Sequence, residues 1–256
     1  MSFLKTLKTL AKLSLLEFIR EKVVWIFIFV ALALYGLSLV LGSMSFEEKQ
    51  RILSDFGWMS ILISNLGIVL FLGSSWLQKE MFHQTCLMVL ARPVSRMQFY
   101  LGKFLGIWIL SFVLQGLMAL TLWALLQFGY SATSFFQVFL GTFLEVSLIL
   151  SLSFFAATFL RSSLAFLFGL GIFLIGHWMQ EIEFFGRKSN DLFYVTLGGT
   201  LKWFTPNLFQ MNWRNIYFLE NGVPFDQIIW VTFHATAWIL FLTLSGSAIF
   251  GRRDLV

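Results

Sequence analysis

The sequence VVWIFIFVALALYGLSLVLGSM, from Val23 to Met44, decides the fold. It carries no charge, and the nearest charged residues on its two sides are Lys22 and Glu47. A helix needs about 20 apolar residues to cross a bilayer, so this stretch predicts a membrane-spanning helix. The apolar region of a cleaved signal peptide is shorter, about 7–15 residues, so we expect an uncleaved span.

The composition of the whole chain indicates a membrane protein. Of its 256 residues, 58% are hydrophobic and 12% are charged, and mean hydropathy is +0.82. Soluble domains carry about 25% charged residues, so this chain lacks the polar shell that a soluble enzyme needs. Disorder is excluded by the same hydrophobicity, and a disulfide scaffold is excluded because Cys86 is the only cysteine.

Uncharged runs of similar length recur along the chain. The run after Lys103 is long enough for two spans, and Gly129-Tyr130-Ser131 interrupts it. The three prolines lie outside the runs, so each run can form an unbroken helix. The sequence therefore predicts an all-α, polytopic membrane protein with one transmembrane domain over residues 1–256. The six predicted spans are 23–44, 56–78, 104–128, 135–160, 162–180 and 227–251.

Charge bias predicts the orientation. The N-terminus, the 79–103 loop, Arg161 and the C-terminus together hold 12 of the 18 basic residues. Because basic residues concentrate on the cytoplasmic side, we expect both termini to be cytoplasmic in a multi-pass protein of the cell membrane. This bias and anionic membrane lipid explain the net charge of +5, which therefore needs no nucleic-acid partner.

Three segments outside the spans have a character of their own. Residues 3–22 combine an apolar stripe with a lysine stripe, which predicts an amphipathic elbow helix on the inner leaflet or a simple basic anchor.

Residues 79–103 read KEMFHQTCLMVLARPVSRMQFYLGK and mix charged with apolar side chains. This predicts a short amphipathic helix over about 79–90 that docks a partner or touches lipid only. Residues 181–226 are rich in Trp and Tyr and predict short outer helices that form a gate or a lid.

Catalytic motifs are absent from the sequence. It contains no H-E-x-x-H, C-x-x-C, G-x-S-x-G or Walker A pattern, so we expect a chain that is not an enzyme and that binds no ATP by the Walker route. The alternative function is an integral-membrane enzyme acting on lipid or a lipid-linked substrate. Such an enzyme would have to use scattered outer residues such as His177 and His234. These two histidines could also approach one another, either to bind a metal or to form a polar contact between helices; we expect the polar contact and no metal site.

Glu145 is the acid that lies well inside a predicted span. Burying its charge is costly, so it should face protein or a wet cavity, or be protonated. We expect Glu145, Ser147 and Ser151 to line a translocation path or a subunit interface, or to make polar contacts between helices. Gly102 and Gly106 form a small-xxx-small pattern that favours close helix packing, as do Ser147 and Ser151.

Several short motifs, taken in order, resemble one family. They are Glu80 followed by Thr85, LARPVSR from Leu90 to Arg96, Gly102-Lys103, the segment from Pro206-Asn207 to Asn212, and the ending FGRRDL. This order resembles the permeases of type 2 ABC transporters, with Ala91 where the family usually has Ser or Thr. The resemblance is nearest to the permeases of multicopper-enzyme maturation, gliding motility and antibiotic export.

The resemblance implies a function. It implies the permease subunit of an exporter in a bacterial inner (plasma) membrane, paired with a second copy or a related permease. ABC ATPase subunits would bind underneath, and ATP and Mg²⁺ would reside on them, with no cofactor in this chain. The loop after the second span would be the coupling helix. The coupling residues implied are Glu80, Thr85, Arg92, Pro93, Arg96 and Lys103, to which we add the apolar Phe82 and Leu87.

Overall fold

The computed structural model describes residues 3–44, 49–82, 94–126, 131–189, 193, 196, 199–200, 205–214 and 222–252. These residues form helices and connections, and no strand occurs among them. We number the long helices in chain order. They are α1 Phe3–Ile19, α2 Lys22–Met44, α3 Lys49–Phe82, α4 Arg96–Leu125, α5 Ala132–Ala156, α6 Ser162–Ser189 and α7 Phe225–Arg252.

Helices α2 to α7 are the transmembrane helices. All six are long and apolar enough to cross a bilayer. The prediction of an all-α polytopic membrane protein is confirmed. Between α6 and α7, the described residues contain a short 3₁₀ helix, Leu208–Met211.

The helix ends differ from the ends of the predicted spans. α3 begins at Lys49 and continues to Phe82, and α6 continues to Ser189. α4 begins at Arg96 because Ser95 caps it: the Ser95 hydroxyl accepts from the Gln98 backbone N–H, and the Gln98 side chain accepts from the Ser95 N–H. Uncharged runs therefore marked the apolar part of each helix, whereas the backbone hydrogen bonding extends beyond it. The predicted 79–103 loop is correspondingly shorter, because both of its ends belong to transmembrane helices.

The centre of the bundle consists of α3 and α5. In their most apolar windows, 72% of α3 and 83% of α5 is buried, against 22% in α2, α6 and α7. α3 packs on α2, α4, α5 and α6, and α5 packs on α6 and α7. The peripheral helices therefore turn most of their apolar surface away from the chain, towards lipid or another subunit.

Neutral polar side chains connect the helices in the middle of the bundle. The Asn65 amide on α3 donates to Gln115 Oε1 at 3.0 Å, and the Ser111 hydroxyl donates to Asn65 Oδ1 at 3.0 Å. Gln115 in turn donates to the Phe139 carbonyl on α5 at 2.9 Å. These amides are buried and bonded, so they fix α3, α4 and α5 without placing a charge in the bilayer.

α1 packs against the start of α4. A Cβ added to Gly102 would lie 2.6 Å from the Leu10 Cβ, and one added to Gly106 would lie 2.6 Å from the Ser14 Cβ. The expected close packing at this glycine pair is confirmed. Of the predicted apolar stripe of α1, Ala11 and Phe18 are buried while Leu4 is exposed, so the stripe does not face one environment only.

The glycine contact predicts a difference between two alanine variants of α4. Gly106→Ala should lower the free energy of unfolding by about 1–3 kcal/mol because the added methyl collides with α1. Gly116→Ala is the matched control, because a Cβ there meets nothing within 4 Å. Thermal unfolding in detergent, together with proteolysis of α1, measures both variants. Equal stability of the two variants would contradict the packing described here.

Candidate functional site

Four residues meet at one end of the bundle and are called the Lys103 cluster: Glu17, Trp76, Glu80 and Lys103. The Lys103 ammonium lies 2.6 Å from Glu80 Oε1 and 3.2 Å from Glu17 Oε2. It also lies 4.5 Å from the centroid of the Trp76 ring, within the range of a cation–π contact. One cation on α4 thus contacts both α3 and α1.

Burial makes this contact stronger than a surface ion pair. The Lys103 and Glu80 side chains are 9% and 12% exposed, whereas Glu17 is 50% exposed. The Lys103–Glu80 attraction is therefore weakly screened by water, while Glu17 completes the cluster from its solvent side. Phe18 closes the cluster with an edge-to-face contact on Trp76, at a centroid distance of 4.7 Å.

Two residues of the Lys103 cluster lie in sequence on either side of the segment that holds most of the predicted coupling residues. Glu80 precedes residues 83–93 and Lys103 follows them, so the ion pair joins the two helices that lead into and out of this segment. Thr85, Leu87, Arg92 and Pro93 lie outside the described residues. Phe82 is the last residue of α3.

Neighbouring side chains on α3 contact other elements at the same end. Gln78 accepts from the Ser162 N–H at 2.6 Å and donates to the carbonyls of Leu160 and Ala157, where α5 ends and α6 begins. Lys79 lies 4.0 Å from Glu21, just after α1. Three consecutive polar residues at the end of α3 therefore contact the turn between α5 and α6, the chain just after α1 and the start of α4.

Arg96 connects the same region to the last helix. Its Nη1 donates to the Gly251 carbonyl of α7 at 3.2 Å. Phe99, one turn further along α4, stacks on Phe250 at a centroid distance of 6.1 Å. We call the end of the bundle that holds the Lys103 cluster the basic end. At this end, side chains of α4 contact α1, α3 and α7.

A second charged group, the Glu145 cluster, lies deeper in the bundle and consists of Glu145, His177 and Arg214. Glu145 is fully buried on α5, with Oε1 3.3 Å from His177 Nε2 and Oε2 3.5 Å from Arg214 Nη2. Arg214 Nε also donates to Asn212 Oδ1 at 2.8 Å. The carboxyl group has no exposed surface at which a lipid substrate could react.

Ser147 and Ser151 do not join this cluster. The Ser147 hydroxyl accepts from Trp108 Nε1 at 2.9 Å, and the Ser151 hydroxyl donates to the Leu148 carbonyl of its own helix. Sequence reasoning missed Arg214 as the partner of Glu145. The available signal was the rule that a buried carboxylate requires a cation.

Neither charged cluster has the make-up of a metal site. Within the described ranges, no group of three or more His, Cys, Asp or Glu side chains comes together. The Arg214 guanidinium also lies 3.4 Å from His177 Nε2 and would repel a cation from that nitrogen. The structure thus gives no support to a metal ion at His177.

The burial of Lys103 predicts its contribution to stability. Lys103→Met keeps most of the side-chain length but removes the ammonium from beside buried Glu80. We expect a loss of about 3 kcal/mol in the free energy of unfolding, because breaking a buried ion pair leaves a carboxylate without its cation. Lys79→Met is the matched control and should cost less than about 1 kcal/mol, since Lys79 is 58% exposed. Equal losses in denaturant unfolding would contradict this assignment.

The comparison with known families covers the basic end and both central helices. A protein-family model described as "ABC-2 family transporter protein" matches residues 15–180. No curated protein matches the chain. Because the match extends over more than half of the sequence and includes α2 to α5, the chain belongs to the ABC-2 family of transporter proteins and is a membrane permease of an ABC transporter.

Proposed function

We propose that this permease exports its substrate with energy from separate ABC ATPase subunits that bind at the basic end. ABC-2 permeases work with ABC ATPases as a general class of partner. In this proposal, residues 83–93 form the docking contact and the basic end lies in the cytoplasm. The excess of basic residues at the N-terminus and around the 79–103 stretch supports that orientation.

The observation that carries the proposal is the Lys103–Glu80 ion pair, which joins the helix before the docking segment to the helix after it. Since the Lys103 ammonium contacts both Glu80 and Glu17, a push on residues 83–93 acts on α3, α4 and α1 together. Separating the buried pair would leave opposite charges in an apolar surrounding, which is expensive. The three helices should therefore move as one body.

In this proposal, Lys103 and Glu80 position the helices and do not contact the ATPase. Both are largely buried within the chain, so we assign contact with the ATPase to segment 83–93. ATP and Mg²⁺ would be held by the ATPase subunits. Nucleotide drives the permease only by binding one arrangement of the complex more tightly than the other.

The peripheral helices provide surface for the rest of the assembly. Trp25, Phe29 and Leu32 on α2 are each more than half exposed in the single chain. We propose that lipid and a second permease, either a copy or a relative, cover such faces. A contiguous apolar surface of this kind has no stable place in water.

Charge reversal in the docking segment tests the proposal. Arg92→Glu should weaken binding of the partner ABC ATPase subunit by about tenfold, which corresponds to 1.4 kcal/mol. Substrate-stimulated ATP hydrolysis should fall in parallel, while the permease still unfolds at its normal temperature. Both are measured on purified complexes in lipid nanodiscs.

Arg161→Glu is the matched control. Arg161 is an exposed basic residue between α5 and α6, near Gln78 and outside the docking segment. It should leave binding and hydrolysis within about twofold, as expected for a single solvated charge away from the contact. Normal binding and hydrolysis by Arg92→Glu would show that the docking contact lies elsewhere.

A further inference from the structure

One face of α5 holds a segment that is distant in sequence. Gln137, Gly141 and Glu145 are spaced four residues apart and therefore lie along the same side of the helix. Gln137 donates to the Val223 carbonyl at 3.2 Å and accepts from the Val223 N–H at 3.1 Å. Glu145 pairs with Arg214 at the other end of this face.

Small residues let the segment come close to the helices. A Cβ on Gly141 would collide with the Met211 carbonyl and lie 2.9 Å from the Trp213 ring. On α6, a Cβ on Gly176 would lie 2.8 Å from the Leu208 side chain. Leu208, Met211 and Trp213 are buried, so residues 205–214, which we call the lid segment, fill the space between α5 and α6.

The lid segment is closely packed through its apolar side chains, but its charged contacts are long. The distances from Glu145 to His177 and Arg214, 3.3 and 3.5 Å, exceed the 2.7–2.9 Å of strong charged hydrogen bonds. Arg214 Nη1, Asn207 Oδ1 and both carboxyl oxygens of Glu145 are buried and make no hydrogen bond with the described residues, so Glu145 meets its partners at ion-pair distance only. Apolar side chains would attach the segment without this desolvation cost, so the ion pair is better suited to a contact that opens.

We propose that the lid segment closes the non-basic end of the bundle and that Glu145 is its positioning residue, acting through Arg214. When the Glu145–Arg214 contact breaks, the lid segment leaves the α5 face and opens a path between α5 and α6. That this opening serves export rests on the proposed function. The Glu145–Arg214 contact does not rest on it and can be tested in the permease alone.

Thiol labelling of the lid segment measures its opening. The reporter is Met211→Cys in a Cys86→Ser background, in the full-length chain in lipid nanodiscs, where a hydrophilic maleimide reaches both faces. Met211 is buried, so labelling should be slow with Glu145 intact. Glu145→Gln and Arg214→Gln should each raise the labelling rate about tenfold or more. Arg214→Lys keeps the charge and should restore much of the protection.

The double variant distinguishes a shared contact from two separate effects. Glu145→Gln with Arg214→Gln should label no faster than the faster single variant, because both changes remove the same interaction. Ser151→Ala is the matched control on α5: its hydroxyl bonds to its own helix, and labelling should not change.

A second reporter separates lid opening from general loosening. Ile61→Cys lies on α3 in the buried core and should stay protected in every variant. Unchanged labelling at residue 211 in the single variants would overturn the proposal. Equal increases at residues 61 and 211, or multiplied rates in the double variant, would overturn it as well. None of these readouts involves an ATPase, so failure of the coupling proposal remains a separate result.

Discussion

The Lys103 ammonium is the constraint on which the basic end depends. It is one cation between two carboxylates, and these come from helices that are far apart in the chain. Without it, Glu80 would be a buried negative charge beside a second one on α1, and like charges in a low dielectric repel. The Lys103 ammonium therefore stabilises the packing of α1, the end of α3 and the start of α4 together. Gly102 and Gly106 allow α1 and α4 to come close enough for these contacts.

The bundle uses different polar chemistry at different depths. At the basic end the charged pair is short and lies next to solvent through Glu17. In the middle, Asn65 and Gln115 are neutral and make hydrogen bonds that cost no ionic desolvation. Glu145 departs from this order, since it is an acidic side chain that is fully buried and lies at longer distances from its partners. A departure of this kind is better explained by a contact that must change than by stability alone.

Sequence reasoning predicted the spans well and the contacts between them poorly, for physical reasons. Uncharged runs report hydrophobic thickness, so they located six helices but stopped at charges that the real helices pass, as at Asp55 in α3. The resemblance to the permease family pointed to both Glu80 and Lys103. A motif identifies a region of the chain, however, and does not show that these two side chains are buried and paired. Arg214 was missed because the rule that a buried carboxylate pairs with a cation does not say which cation, and its approach to Glu145 depends on the packing of α5 against α6. The Ser95–Gln98 capping box was readable and would have placed the start of α4 correctly.

Gln78 joins the end of α3 to the turn between α5 and α6, the two helices that carry Glu145 and His177. Its amide holds the turn between α5 and α6, two residues before Glu80. Glu145 stands on α5 and His177 on α6, about 18 and 22 Å from that turn at 1.5 Å per residue. Under the proposed function, a shift of the α3 end would tilt α5 against α6 and change the space that the lid segment occupies. A change of a few degrees over 20 Å displaces the far end by about 1 Å, which is enough to break contacts of 3.3–3.5 Å.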